Sequence, residues 1–265
     1  MYSILEHYLS TNHILMIGMI VTFILTFFLL EHPFSFLPSD QGRAFAVNGS
    51  LSKGKLRGVG FIFVLCFLIS SVLFLPLDVE YVIYGILLFA MMISGYLDDA
   101  SKTPWNEYKK GLIDLVISVV AVLTYMNFNS TTICFGADEI VIPKALFLIL
   151  GVILIWVSVN VTNCTDGVDG LCASLCSVTL LAFGVLFASV LQKYAMANFL
   201  FLSVLFAYLY FNSSPSSMLM GDAGSRALGF YIAVIALKST HPFIYLLLAA
   251  VMIVDGGIGL VKIAL

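Results

Sequence analysis

Three short runs carry oxygen-rich side chains inside an otherwise apolar chain, and their types and spacing suit chemistry. Asp98-Asp99 closes an apolar stretch. A helix C-terminus carries partial negative charge, so two carboxylates there work against the macrodipole. They read either as a solvated helix end or as a pair kept for a metal, a proton or a cationic group, with Lys102, Lys109 and Lys110 near in sequence. The run from Asn160 to Gly170 sets Asn160, Asn163, Asp166 and Asp169 three residues apart, which lines them along one side of a helical or 3₁₀ path. Carboxamide and carboxylate oxygens suit a hard cation such as Mg²⁺, and equally the hydrogen-bond donors of a ligand. Helix capping accounts for one of the four but not for the row. The third run, Met220-Gly221-Asp222-Ala223-Gly224-Ser225, opens another apolar stretch. An aspartate there is often a cap, yet the flanking glycines permit close backbone approach and a helix N-terminus is a seat for phosphate.

A fourth segment, Ser52 to Gly60, is basic through Lys53, Lys55 and Arg57. It nearly matches a nucleotide-binding loop from Gly49 to Gly54-Lys55. Leu56 stands where that loop needs Ser or Thr for Mg²⁺, and an apolar span follows instead of a βαβ unit, so the match is rejected. The cationic loop then reads as anchoring at a membrane surface or as contact with phosphates. The four histidines (His7, His13, His32, His241) are scattered and give histidine catalysis no support. Five cysteines without framework spacing read as small core residues. Asp255, inside the last apolar run, is a functional candidate by its position alone.

The elements that must position these residues follow from composition. The 265 residues are 61% hydrophobic and only 10% charged, with mean hydropathy +1.08, against about 25% charged for an ordinary soluble domain. A soluble enzyme, a disordered chain and a nucleic-acid binder are excluded, leaving an all-α polytopic membrane protein. A bilayer-crossing helix needs about 20 apolar residues. Nine runs approach this, near 14–30, 58–75, 81–97, 112–128, 144–160, 171–190, 195–211, 223–237 and 243–262, within a single domain over 1–265. The segment 129–143 could close as a small β-hairpin around Gly136. With nine spans, nine of the twelve basic residues, including Arg43, Lys53, Lys110, Arg226 and Lys262, fall on one face, and only Lys144, Lys193 and Lys238 on the other. The richer face is expected in the cytoplasm, with the N-terminus outside. All three oxygen-rich runs lie on that cytoplasmic face.

In these motifs the sequence resembles the polyprenyl-phosphate N-acetylhexosamine-1-phosphate transferases. Asp98-Asp99 matches their Asp-Asp motif, Asn160 to Leu171 their long central motif, and Gly221 to Ser225 a third, the whole resemblance covering residues 53–229. Thr165-Asp166-Gly167 is similar to the bacterial peptidoglycan branch. That resemblance implies transfer of phospho-MurNAc-pentapeptide from UDP-MurNAc-pentapeptide to undecaprenyl phosphate in the inner membrane, giving lipid I and UMP. Ala223 is shared more with the branches that use UDP-GlcNAc, so that donor stands as the alternative. Gly58-Val59-Gly60 departs from the family's usual Thr-Pro-Thr-Met-Gly-Gly run. The resemblance also implies ten spans and a homodimer. A histidine-containing loop and a tenth span are therefore expected beyond Leu265, the chain reading as cut before them.

The resemblance implies the roles as well. Asp222, with Asn163 as a second ligand, would hold Mg²⁺. Asp98 would deprotonate or position the lipid phosphate, with Asp99 in support. Asp166 and Asp169 would bind the nucleoside or the metal, Asn160 would belong to the same substrate-binding row, and Lys53 and Lys110 would bind phosphates. Direct attack by the lipid phosphate and a covalent aspartyl intermediate are both open chemically, direct attack being favoured because both substrates can reach one site. An ion-coupled transporter, which would set its carboxylates near the bilayer midplane, is the competing class. A CDP-alcohol phosphotransferase would need its aspartates grouped in one motif, which the chain lacks.

Overall fold

The computed structural model describes residues 1–32, 34–40, 42, 52–101, 103, 105–136 and 138–264, with side chains to 259. Arg43 and Lys102, and the side chain of Lys262, lie outside the described residues. The chain is mostly helical. A short α1 (Tyr2–Leu5) precedes α2 (Thr11–Glu31), α3 (Gly60–Phe74), α4 (Val79–Asp99) and α5 (Glu107–Phe128). A hairpin of β1 (Thr132–Phe135) and β2 (Asp138–Val141) follows, antiparallel with Thr132 opposite Val141. Then come α6 (Lys144–Thr165), α7 (Leu171–Leu186), α8 (Gln192–Asn212), α9 (Gly221–Lys238), α10 (Pro242–Leu248) and α11 (Ala250–Ala264). Eight of the nine apolar runs coincide with one helix each. The ninth, expected as one span over 243–262, is instead the pair α10 and α11, bent by 73°.

By length and hydropathy α2, α4, α5, α6 and α8 suffice to cross a membrane, and the bent pair would make a sixth span. Their outer faces are apolar, with Ile24, Ile86, Val116 and Ile149 about half exposed or more. So broad an apolar exterior suits lipid rather than water. Helix α9 differs. It carries Asp222, Arg226 and Lys238, and every residue from Gly221 to Leu237 is buried. It packs on α3, α4, α5, α6, α7 and α10. Enclosed by protein, it can hold charges that a lipid-facing helix could not.

The antiparallel α4 and α9 form the most extensive helix contact. At one end Lys238 Nζ meets Glu80 Oε1 and Oε2 at 3.0 and 2.9 Å and Asn129 Oδ1 at 2.6 Å. Asn129 Nδ2 and Tyr84 OH also donate to Glu80 Oε1. Both charges are buried, so removing one strands the other. Lys238→Met is expected to cost about 3–5 kcal/mol, read as an earlier melt of detergent-solubilised protein, with partial recovery in Glu80→Gln/Lys238→Met. A single mutant melting like the parent would show that this cluster holds nothing in place.

Candidate active site

At the opposite end of α4 and α9, three chain segments lie side by side. Leu56 pairs with Ser39 on one side and Met218 on the other, and Leu219 N donates to Leu56 O at 2.8 Å. This ties the basic loop to the entry of α9. Gly221 is left-handed, with φ +67°, and a Cβ there would lie 2.3 Å from Asp99 Oδ2. Glycine is therefore required where α9 begins against α4.

Asp99 is wholly buried at its side chain. Its Oδ2 accepts the Ala223 amide at 3.1 Å and its Oδ1 accepts Arg57 Nε at 2.8 Å. It thus caps α9 from a neighbouring helix, where a carboxylate suits the positive helix end. Asp98 accepts the Trp105 amide at 2.7 Å and pairs with Lys110 Nζ at 2.8 Å. Asp222, in the first turn of α9, faces Arg57 Nη2 at 3.4 Å through Oδ1 and Lys110 Nζ at 3.6 Å through Oδ2. One lysine thus joins Asp98 to Asp222, and one arginine joins Asp99 to Asp222. Asn163, in the last turn of α6, donates to Ser225 Oγ at 2.9 Å and reaches Asp222.

The row expected from the central motif is not kept together. Asn160 bonds its own helix at Trp156 O. Asp166, the C-cap of α6, lies close enough to act on the charge of Arg57. Asp169 turns instead to Ser216, taking its amide at 2.9 Å and its hydroxyl at 2.7 Å, and to Lys55 at 3.6 Å. Burial alone would raise the Asp169 carboxyl, but the two Ser216 bonds and Lys55 outweigh it and hold it below its ordinary value. The helical path ends at Thr165, and past that point a three-residue spacing no longer keeps one face. Lys53 is exposed, while Lys55 and Arg57 turn inward.

The sequence model of glycosyl transferase family 4 matches residues 81–240, from the start of α4 through the end of α9. A phospho-N-acetylmuramoyl-pentapeptide-transferase of Treponema pallidum (strain Nichols) is 36% identical over 271 residues, covering 94% of this chain and 75% of its own length. The chain belongs to glycosyl transferase family 4. Relatives of the same name in Halalkalibacterium halodurans and Helicobacter acinonychis are 28% and 26% identical, over 92% and 96% of this chain and 81% and 83% of their own lengths. With its apolar helices, this makes the chain a multi-pass bacterial membrane protein.

In this member of glycosyl transferase family 4, the site also includes residues outside the three oxygen-rich runs. Arg57 and Asp40 precede the matched segment. The buried Asp40 accepts Ser52 Oγ at 2.5 Å and faces Arg57 Nη1 at 3.5 Å. Burial works against the charge of Arg57, but Asp99, Asp222, Asp40 and Asp166 outweigh it and hold the guanidinium protonated more firmly than usual. Arg226, one turn beyond Asp222, pairs with Asp114 of α5, both 2% exposed. Its Nε and Nη1 find no partner among the described residues. The signal for this pair was an acid and a base inside apolar runs, where neither belongs without the other. Asp255 lies exposed on α11.

Proposed function

We propose that this chain transfers phospho-MurNAc-pentapeptide from UDP-MurNAc-pentapeptide to undecaprenyl phosphate, forming lipid I and releasing UMP. One observation carries the reading. Asp98, Asp99 and Asp222 meet at one end of the bundle with Lys110 and Arg57 as shared counter-ions. The name borne by the relatives supplies the substrates. A set of carboxylates at a bundle end, rather than half-way along, speaks against the transporter reading.

In the reaction an oxygen of the lipid phosphate attacks the sugar-bearing phosphorus of the donor. The bond from that phosphorus to the bridging oxygen breaks, and UMP leaves with this oxygen. Lys110 and Arg57 are placed to offset the charge of the diphosphate as it divides. Asp98 would take a proton from the acceptor phosphate or orient it, and Asp99 holds Arg57 and the start of α9. Direct attack is the simpler course, because one site serves both substrates. Lys55, Asp166 and Asp169 line the approach from the loops.

The donor chemistry fits Mg²⁺. Asp222 offers a carboxylate and Asn163 a carboxamide, both hard oxygen donors, and Mg²⁺ is commonly held by one or two carboxylates together with substrate phosphates. No group of three His, Cys, Asp or Glu capable of holding a metal occurs among the described residues. Bound there, Mg²⁺ supplies Lewis-acid stabilisation of the dividing diphosphate. The site would face the cytoplasm, on the side richer in Lys and Arg, with the N-terminus across the bilayer and the nine-run topology as framework. Assembly as a homodimer belongs to the same proposal and is checked by mass determination in detergent.

Ala223 keeps UDP-GlcNAc as a second donor reading. The test offers each donor separately, with undecaprenyl phosphate and Mg²⁺, and follows exchange of radiolabelled UMP. Exchange with UDP-MurNAc-pentapeptide is expected. Exchange with UDP-GlcNAc alone would replace the donor, and none with either would overturn the proposal.

A further inference from the structure

The carboxylates of the site are not held alike. Asp98 and Asp99 each accept two bonds between 2.7 and 3.1 Å, one from a backbone amide and one from a cation. The cations reach Asp222 only at 3.4 and 3.6 Å, and its hydrogen bond comes from the neutral amide of Asn163. Arg57 shows the same division within its own fork. Its Nε is anchored on Asp99 at 2.8 Å, while Nη2 toward Asp222 and Nη1 toward Asp40 make long contacts at 3.4 and 3.5 Å. The Arg57 side chain remains 27% exposed, so it is open to a ligand while Nε holds it to Asp99.

We propose that Arg57 is the resident counter-cation of Asp222, giving way when a divalent cation binds and turning its two Nη groups to the diphosphate of the donor. This rests on the reading above and deepens it by naming the residue that couples the two ligands. A cation approaching Asp222 meets a positive charge on each oxygen, Arg57 on one and Lys110 on the other. It therefore binds weakly until an anion takes up those charges. The diphosphate is that anion, and a guanidinium presents a planar fork matched to phosphate oxygens. Each ligand then removes what opposes the other, so their affinities rise together and by the same factor. Asp99, already bonded to Ala223, keeps the arginine tethered through the exchange.

The test is Mn²⁺ binding to the purified full chain in detergent, followed by electron paramagnetic resonance with and without UDP-MurNAc-pentapeptide, alongside donor binding without metal. For the parent, the donor is expected to tighten Mn²⁺ by tenfold or more. Arg57→Gln is expected to move the two affinities in opposite directions, with Mn²⁺ alone binding about tenfold tighter, the donor alone about tenfold weaker, and the coupling reduced. Arg57→Lys, which keeps the charge but not the fork, should leave Mn²⁺ alone unchanged and still weaken the donor. That variant decides the matter if Arg57→Gln does not fold. Parent-like donor affinity in Arg57→Lys, or unchanged Mn²⁺ affinity and coupling in a folded Arg57→Gln, would overturn the inference and leave the transferase reading intact. A parent protein that binds neither Mn²⁺ nor donor would instead overturn the transferase reading.

Discussion

Purified Asp222→Asn protein is expected to exchange UMP about 10²–10³-fold more slowly than the parent, at unchanged expression and melting temperature. The substitution conserves shape and leaves a residue that suits the first turn of a helix. It also strands no charge. Arg57 keeps Asp99 and Asp40, Lys110 keeps Asp98, and Arg226 keeps Asp114. The usual cost of breaking a buried ion pair is therefore absent, and the loss is chemical. What disappears is a carboxylate that the two cations reach only at 3.4 and 3.6 Å, beside the neutral amide of Asn163, and with it the place where a cation and the diphosphate can meet. Exchange within a fewfold of the parent, at matched Mg²⁺, would mean that the reacting phosphates lie elsewhere. An Asp169→Asn control should lose much less, since its oxygens serve Ser216 and Lys55 in the loops.

The helices were legible because the membrane imposes a length and an exclusion of charge that few sequences meet by accident. Runs such as 81–97 and 195–211 match α4 and α8 closely. The break between α10 and α11 was not legible. Residues 243–254 are continuously apolar, with no proline at the break. The bend is imposed from outside, where Tyr245 OH bonds Ser158 Oγ at 2.9 Å, Thr165 Oγ1 bonds Met252 O at 3.3 Å, and Gly256 lies against the Val161 carbonyl. Each of these joins residues about ninety positions apart, beyond any local pattern.

The site divides in the same way. Asp98, Asp99 and Asp222 stood out because a carboxylate at the end of an apolar run needs a reason. Their pairing through Lys110 and Arg57 was not visible, since it depends on how helices from distant parts of the chain are juxtaposed. Arg57 in particular reads as one more basic residue in a surface loop. Only the pairing of Leu56 with Met218 carries it to the mouth of α9. Lys53, two residues before Lys55, shares its chemistry but stays outside, and its residue type carries no signal of which way the loop turns.

Gly95→Ala is expected to lower turnover by about 10²-fold although no substrate touches it, since a displacement of about 1 Å at the reacting groups has an effect of this order. A Cβ at Gly95 would lie 2.3 Å from the Asp222 carbonyl oxygen and 2.6 Å from the Ala223 nitrogen. Both are backbone atoms that cannot swing aside, so α4 and α9 must part at the turn that holds Asp98, Asp99 and Asp222. The fold absorbs such overpacking at about 1–3 kcal/mol, which leaves folded protein to assay. The matched control is Gly85→Ala, nearly three turns earlier on the same helix, where the nearest atom is a Leu68 methyl at 3.8 Å. That change should stabilise the helix by about 0.5–1 kcal/mol and leave turnover intact. Equal turnover in the two variants would refute the idea that backbone contact between α4 and α9 sets the carboxylates. A selective loss in Gly95→Ala would place the origin of the site in a residue with no side chain.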